Sequence, residues 1–253
     1  MASYDIVGSI AIIKPEGKSK KQKLQLVRKL LNQSNIKTVL EKVTEVKGRL
    51  RTFKTKYIAG EKTKETIHKE NNCLFKLNVE TCYFSPRLNN ERKQIALKIK
   101  KKDNVLVMFS GIGCYPIKIY ELVKPKKITI IDISRECNKY ARENLKLNKI
   151  SEDHIRIIQG DVKRKMPNEK FNVIVMTRPN LKNTFLDQAL KVSKKGTKIF
   201  YYGFCKDNEL NNLKNQLINE SGKLKRKIKI MKIIKAGDIA PYKFRYRIEI
   251  NVL

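Results

Sequence analysis

The apolar positions change their period along the chain. Tyr4-Asp5-Ile6-Val7-Gly8-Ser9-Ile10-Ala11-Ile12-Ile13 is rich in β-branched residues and predicts one strand, with Gly8 as a bulge or close approach. Lys14-Pro15-Glu16-Gly17 is expected to end it. Residues 19–33 place Leu24, Val27, Leu30 and Leu31 at helical spacing with lysines opposite. Short β-like runs follow at Thr38-Val39-Leu40 and Lys56-Tyr57-Ile58-Ala59, separated by Gly48 and Gly60. The first third therefore predicts a small α+β module, assigned to residues 1–75.

Beyond about residue 85 the rhythm changes. Leu88, Ile95, Ala96 and Ile99 predict a helix, Asn104–Phe109 a strand, and Ser110-Gly111-Ile112-Gly113 a turn. Then come helix 114–123, strand 127–132, helix 134–147, strands 154–158 and 171–176, helix 181–192 and strand 197–202. Continuous apolar strands alternating with helices predict βαβ units and a parallel sheet covered on both faces. The tail predicts a helix near 207–218 and an antiparallel pair, 227–234 and 244–252, at one edge. Residues 76–253 form this second unit.

Charge narrows the choice of partner. The 253 residues carry 57 Lys+Arg against 24 Asp+Glu, a net charge of +33, while a hydrophobic content of 41% is enough for a core. Self-repulsion on that scale suits a chain that works against a polyanion, and nucleic acid is the usual one. Residues 14–56 hold 14 basic and three acidic residues, and 223–235 hold seven basic and none acidic. No apolar run reaches bilayer length and the N-terminus has no leader pattern, so a cytoplasmic chain without membrane association is expected. The five cysteines are scattered and there are only two histidines, so reduced thiols and no metal site are expected.

The chemistry concentrates around one loop. Phe109-Ser110-Gly111-Ile112-Gly113 lies between a strand and a helix, and Asp132 ends the next strand, 21 residues after Gly111. Glycines let a backbone approach a nucleotide, and an acid at the second strand end can take both ribose hydroxyls. The third glycine of the dinucleotide fingerprint is absent, which favours S-adenosylmethionine over a pyrophosphate-bearing cofactor. Asp161, ending the third strand, is placed to accept from an adenine amino group. Phe109, Ile133, Val162 and Thr177 complete the expected cofactor pocket. Arg178, Pro179 and Asn180 follow the fourth strand as a substrate-facing loop.

Several stretches occur together in one order: Tyr4–Gly8, Gly48-Arg49-Leu50-Arg51-Thr52, Thr66–Asn71, Tyr83-Phe84-Ser85-Pro86-Arg87-Leu88, Glu91-Arg92, Met108–Gly113 and Tyr201–Phe204. In these the chain resembles the archaeal and eukaryotic tRNA (guanine-N1)-methyltransferases that modify the purine 3′ of the anticodon, position 37, and their wybutosine-pathway relatives. The resemblance implies a class I methyltransferase Rossmann-like sheet, mostly parallel with an antiparallel edge strand, behind a small N-terminal α+β module that contacts RNA. It implies S-adenosylmethionine as cofactor and the anticodon stem-loop of tRNA as partner of a monomer. Glu91 matches the family's general base for the N1 proton, and Arg51 the cation for charge developing at O6. Arg87 and Tyr83 match contributors to the cofactor and target-base pockets. Many relatives carry a further N-terminal domain, and this chain begins where that domain would end.

Two departures bear on specificity. Thr177 stands where the family's loop begins with Asn, and Cys114 and Tyr115 where relatives have Pro and an aromatic. Thr is shorter and has no amide, which leaves room for methylation of the tricyclic precursor 4-demethylwyosine at carbon 7. Two alternatives stay open: an aminocarboxypropyl transferase of the same pathway, in which the Arg–Glu pair is not expected, and a non-catalytic RNA-binding relative. The charge pattern generates the first prediction. The logarithm of RNA affinity should fall steeply with the logarithm of salt concentration, and charge-reversing pairs within 14–56 should flatten the slope; a salt-insensitive titration would remove the polyanion reading.

Overall fold

The computed structural model describes residues 4–14, 17, 19–46 and 48–253. The turn expected at Pro15 and Glu16 lies outside the described residues, as do Lys18 and Lys47 of the basic stretch. The first apolar run is two strands, β1 (Tyr4–Val7) and β2 (Ile10–Ile13), paired antiparallel. Gly8 makes the reversal at φ +55°, and a Cβ there would stand 2.2 Å from Thr66 Oγ1 and 2.5 Å from the Ile67 carbonyl oxygen. A glycine is required on both counts. Helix α1 (Lys20–Leu31) starts with a capping box between Ser19 and Gln22 and buries Val27 and Leu30. Strands β3 (Thr38–Lys42) and β4 (Thr55–Gly60) complete a sheet of order β1-β2-β3-β4.

The second unit is a seven-stranded sheet. In chain order its strands are β7 (Asn104–Met108), β8 (Lys127–Asp132), β9 (Ile155–Gln159), β10 (Phe171–Met176), β11 (Ser193–Lys206), β12 (Ile228–Ala240) and β13 (Lys243–Val252). Their spatial order is β12-β13-β11-β10-β7-β8-β9. Neighbours from β9 to β11 pair parallel, and β13 alone runs against the rest, one place in from the edge. Helices α2 (Asn89–Ala96), α3 (Cys114–Val123), α4 (Arg135–Leu147), α5 (Leu186–Lys191) and α6 (Leu210–Lys223) flank it. The sheet therefore has a core on each face, Val105, Val107 and Ile128 on one, Leu106, Met108 and Ile131 on the other. The carboxyl ends of β7 and β10 lie side by side beside β8, where open parallel sheets bind ligands. No helix among the described residues is long and apolar enough to cross a membrane.

The helix expected over 181–192 is only α5. Residues 177–185 instead form a loop whose carbonyls at Leu181 and Asn183 accept from the Arg178 guanidinium, and Phe185 enters α5 at φ +58°. A hairpin absent from the periodicity, β5 (Glu65–Glu70) and β6 (Cys73–Asn78), joins the two units. Position 75 falls inside β6.

Two asparagines one turn apart, Asn144 on α4 and Asn148 at its C-cap, satisfy the free edge of β6. Asn148 accepts from Leu74 N–H and donates to Leu74 C=O. Asn144 accepts from Lys76 N–H at 2.6 Å and donates to the carbonyls of Lys76 and of Ile112, in the glycine loop. One side-chain amide thus does a strand's work on the hairpin and steadies the loop as well. Asn144→Ala takes the side-chain partner from three backbone groups, two on half-buried Lys76 and one on buried Ile112, and we expect it to lower stability by about 2–3 kcal/mol in urea denaturation. A loss below about 0.5 kcal/mol would mean that those groups find other partners.

Candidate functional site

One cavity of about 1110 Å³, counting its open mouth, lies over the carboxyl ends of β7, β8 and β10. Its floor is the glycine loop. Phe109, Gly111 and Gly113 all have positive φ, +62°, +58° and +89°. The fold that results turns the Gly111 N–H onto Asp132 Oδ2 at 2.8 Å, while Asp132 Oδ1 accepts from Ser134 N–H at 2.8 Å. Burial raises the Asp132 carboxyl above the ordinary Asp value, and the Ser134, Gly111 and Ile133 N–H groups pull the other way. Nothing lies within 4 Å of where a Cβ on Gly111 would stand. The Ser110 hydroxyl, also at the cavity wall, is buried without a partner.

Across the loop, Thr177 ties β10 to the glycine turn through its hydroxyl, which donates to Phe109 C=O at 2.7 Å. Phe109 packs edge-on against Phe185 at 5.0 Å. With Ile133 and Val162 these rings make an apolar slot. Asp161 sits at its rim. Burial works against its ionisation, but the Lys163 N–H and the Arg49 guanidinium at 2.5 Å outweigh that and hold it below the ordinary Asp value. These features fit an adenosine: an apolar slot for the base, a carboxylate at the floor and one at the rim, and a hydroxyl awaiting a partner.

The far half of the cavity is basic. Arg51, at φ +56°, lays its guanidinium over the Tyr83 ring, 3.8 Å from the centroid. Arg245, from β13, reaches the Tyr83 hydroxyl at 3.4 Å. Burial pushes Tyr83 up, yet Arg51, Arg245 and Arg92 together bring it below the ordinary value. Burial, with Arg245 nearby, lowers Arg51. Arg92 is spoken for by Glu70 in a buried pair, whereas among the described residues no carboxylate is paired with Arg51 or Arg245.

Glu91 stands behind this half and is not among the residues lining the cavity. Its Oε1 accepts from the Tyr202 hydroxyl at 2.5 Å and from Arg247 at 2.7 Å. Tyr202 in turn accepts from the Tyr115 hydroxyl at 3.1 Å, and both tyrosines line the cavity. Burial pushes Tyr115 up to about 12; burial, Tyr115 and Glu91 hold Tyr202 well above its ordinary value.

Of the residues singled out in the sequence, the cavity brings together Arg51, Tyr83, Phe109, Gly111, Asp132, Ile133, Asp161, Val162, Thr177, Arg178 and Pro179. Gly113 lies beneath it as the N-cap of α3. Arg178 is buried and ties its own loop, while Asn180 is exposed. Arg87 is exposed and paired with Asp5 at 2.5 Å. Sequence reasoning missed Arg49, Ser110, Tyr115, Phe185, Tyr202 and Arg245. Arg49 and Tyr202 lie in stretches quoted for the resemblance; Arg245 carried no signal. All five cysteines are free and buried, with Cys82 and Cys137 sulfurs 3.2 Å apart. No metal-binding group of side chains occurs among the described residues.

Residues 66–231 match the family described as TRM5/TYW2 methyltransferase domain, and residues 1–63 the TYW2 N-terminal domain. The chain is 36% identical to a tRNA (guanine(37)-N(1))-methyltransferase Trm5b of Pyrococcus abyssi over 80% of this chain and 60% of that one. It therefore spans about 60% of the length of that relative. It is 30% identical to a tRNA (guanine(37)-N(1))/4-demethylwyosine(37)-methyltransferase, Taw22, of Nanoarchaeum equitans over 99% of this chain and 100% of that one. A solved complex of aTrm5 with tRNALeu superimposes with a TM-score of 0.86 at 29% identity, covering 100% of this chain and 72% of that one.

The floor of the cavity generates a prediction. Asp132→Ala removes a charged acceptor from the expected ribose site and leaves the Gly111 and Ser134 N–H groups without theirs. Calorimetry should find S-adenosylmethionine affinity lowered about tenfold or more, with a small loss of melting temperature. Unchanged affinity would place the nucleotide elsewhere.

Proposed function

We propose, because this chain belongs to the TRM5/TYW2 methyltransferase family, that it methylates N1 of guanine 37 in tRNA, in the cytoplasm and as a monomer, with S-adenosylmethionine as donor. The observation that carries the reading is the meeting of two unlike halves in one cavity: the Gly111/Asp132 nucleotide floor and the Arg51/Tyr83/Arg245 wall, whose two cations are paired with no carboxylate among the described residues. The first suits an adenosine, the second an electron-rich base on a polyanion. The surrounding lysines and arginines would hold the anticodon stem-loop by its phosphates.

Bound S-adenosylmethionine supplies an electrophilic methyl group on a sulfonium. The chain's own residues have three tasks. Asp132, Phe109, Val162 and Asp161 would fix the donor's adenosine. Arg51 would hold the charge that grows at O6 as N1 gives up its proton; the Tyr83 ring beneath it and its left-handed backbone keep the guanidinium in place. Glu91 is the carboxylate for which that proton is destined.

A second, additional substrate is supported by one observation. Thr177 turns its hydroxyl inward to the Phe109 carbonyl and presents no amide to a purine edge, and the relative matched along its whole length is named for guanine and 4-demethylwyosine together. We read the site as open to the tricyclic base as well. Incubation with labelled donor and unmodified or precursor-bearing tRNA, followed by nucleoside analysis, tests both products.

Arg51→Ala and Glu91→Ala should each lower the single-turnover rate at guanine N1 by roughly 10²–10³, about 3–4 kcal/mol. Donor affinity should stay within a few-fold in both. The double variant should lose less than the product of the single losses, because the two groups act in one transition state. Wild-type rates in both single variants would strike out the assignment.

A further inference from the structure

Glu91 has a difficulty as an acceptor. Its carboxylate is not at the cavity wall, and the oxygen nearest the cavity already accepts two hydrogen bonds, from Tyr202 and from Arg247. Tyr202, whose hydroxyl donates to Glu91, does line the cavity. That hydroxyl accepts from Tyr115, donates to Glu91, and keeps one acceptor position of its own.

We propose that Tyr202 is the group that touches guanine N1, passing the proton to Glu91 through its own hydroxyl. The inference rests on guanine N1 being the methylated atom. As the N1–H bond breaks, that proton joins the Tyr202 oxygen. The original Tyr202 O–H bond breaks in the same motion, and its proton joins Glu91 Oε1 along the existing 2.5 Å contact. The N1 electron pair forms the bond to the methyl carbon, and the pair of the old carbon–sulfur bond stays on sulfur. Carboxylate and sulfonium charges are both neutralised, and no further reactant is needed.

Three features of the chain support the relay. Burial keeps the Tyr202 phenol neutral, so it serves only by losing one proton as it gains another. Arg247 is itself buried and held between Glu91 and Glu249, so the Glu91 oxygen that accepts from Tyr202 is also tied to a buried cation. The Tyr202 main chain is held too, its carbonyl facing Arg178 and its backbone in register with Arg247 of β13.

Tyr202→Phe keeps the ring and removes the relay. Single-turnover formation of 1-methylguanosine in tRNA should fall about 100-fold, while calorimetric affinity for S-adenosylmethionine stays within threefold. A variant as fast as wild type overturns the relay and leaves the guanine reading standing. The wild-type protein provides an independent test: its rate in H2O/D2O mixtures should curve with deuterium fraction as two moving protons require, and a linear dependence overturns the proposal even if the variant fails to fold. A third readout needs no turnover. With 3-fluorotyrosine at position 202, the fluorine resonance should shift when an anticodon stem-loop RNA with guanine 37 is added without donor, and an unmoved resonance also overturns it. If wild-type protein forms no 1-methylguanosine at all, the substrate reading fails, and the fluorine shift alone decides whether Tyr202 meets a base.

Discussion

Two adjacent residues of α2, Glu91 and Arg92, are both buried, and neither charge could remain so alone. Each is met by an opposite charge from a different part of the chain: Glu91 by Arg247 on β13, Arg92 by Glu70 at the end of β5. Breaking a buried pair by removing one partner typically costs about 3–5 kcal/mol, because the survivor is left uncompensated. Helix α2 is therefore a clamp that tolerates one seating only. That seating sets Glu91 against Tyr202, brings Arg92 under the Phe84 ring at 5.2 Å, and holds Ser85, whose carbonyl accepts from Arg92, at the cavity rim. The hairpin, the sheet and the basic wall are mutually placed by these two pairs.

The same economy of charge explains why the cavity is electropositive without being disordered. Arg92 is neutralised by a carboxylate, and Arg178 has N–H groups taken up by loop carbonyls. Arg51 and Arg245 both meet Tyr83, one over its ring and one at its hydroxyl, and among the described residues neither is paired with a carboxylate. Arg92 and Arg178 are thus tied within the chain, while Arg51 and Arg245, on the wall itself, are left to act across the cavity. A substrate that brings its own negative charge completes the second set without disturbing the first.

How far the sequence revealed this follows the range of the forces involved. β7, α3 and β8 are set by continuous apolar runs and a glycine turn, all local, and they lie where the periodicity puts them. The β5–β6 hairpin escaped because β5 is largely polar and the free edge of β6 is closed by Asn144 and Asn148, some 70 positions away. Residues 181–185 looked helical because nothing local records that Arg178 draws their carbonyls inward. Arg245 and Arg247 alternate with Tyr246 and Ile248 as if facing water; instead the polar face of α2 covers Arg247, and Arg245 turns to Tyr83 at the cavity. Glu91 and Arg51 were marked by resemblance, and periodicity alone would have left both on the surface.

Strand β12 has a wider consequence. It is 13 residues long, lies at the end of the sheet order, and carries Met231 and Ile239 exposed. An open edge of that length is a template for a second copy of the chain. Lys229, Lys232 and Lys235 along it, and three irregularities in its register with β13, oppose such addition. The lysines protect only while their charge is felt. Concentrated salt screens that repulsion within a few ångströms, so colloidal stability in this molecule depends on ionic strength, and storage at low salt, or with a polyanion that occupies other surfaces, keeps the edge single.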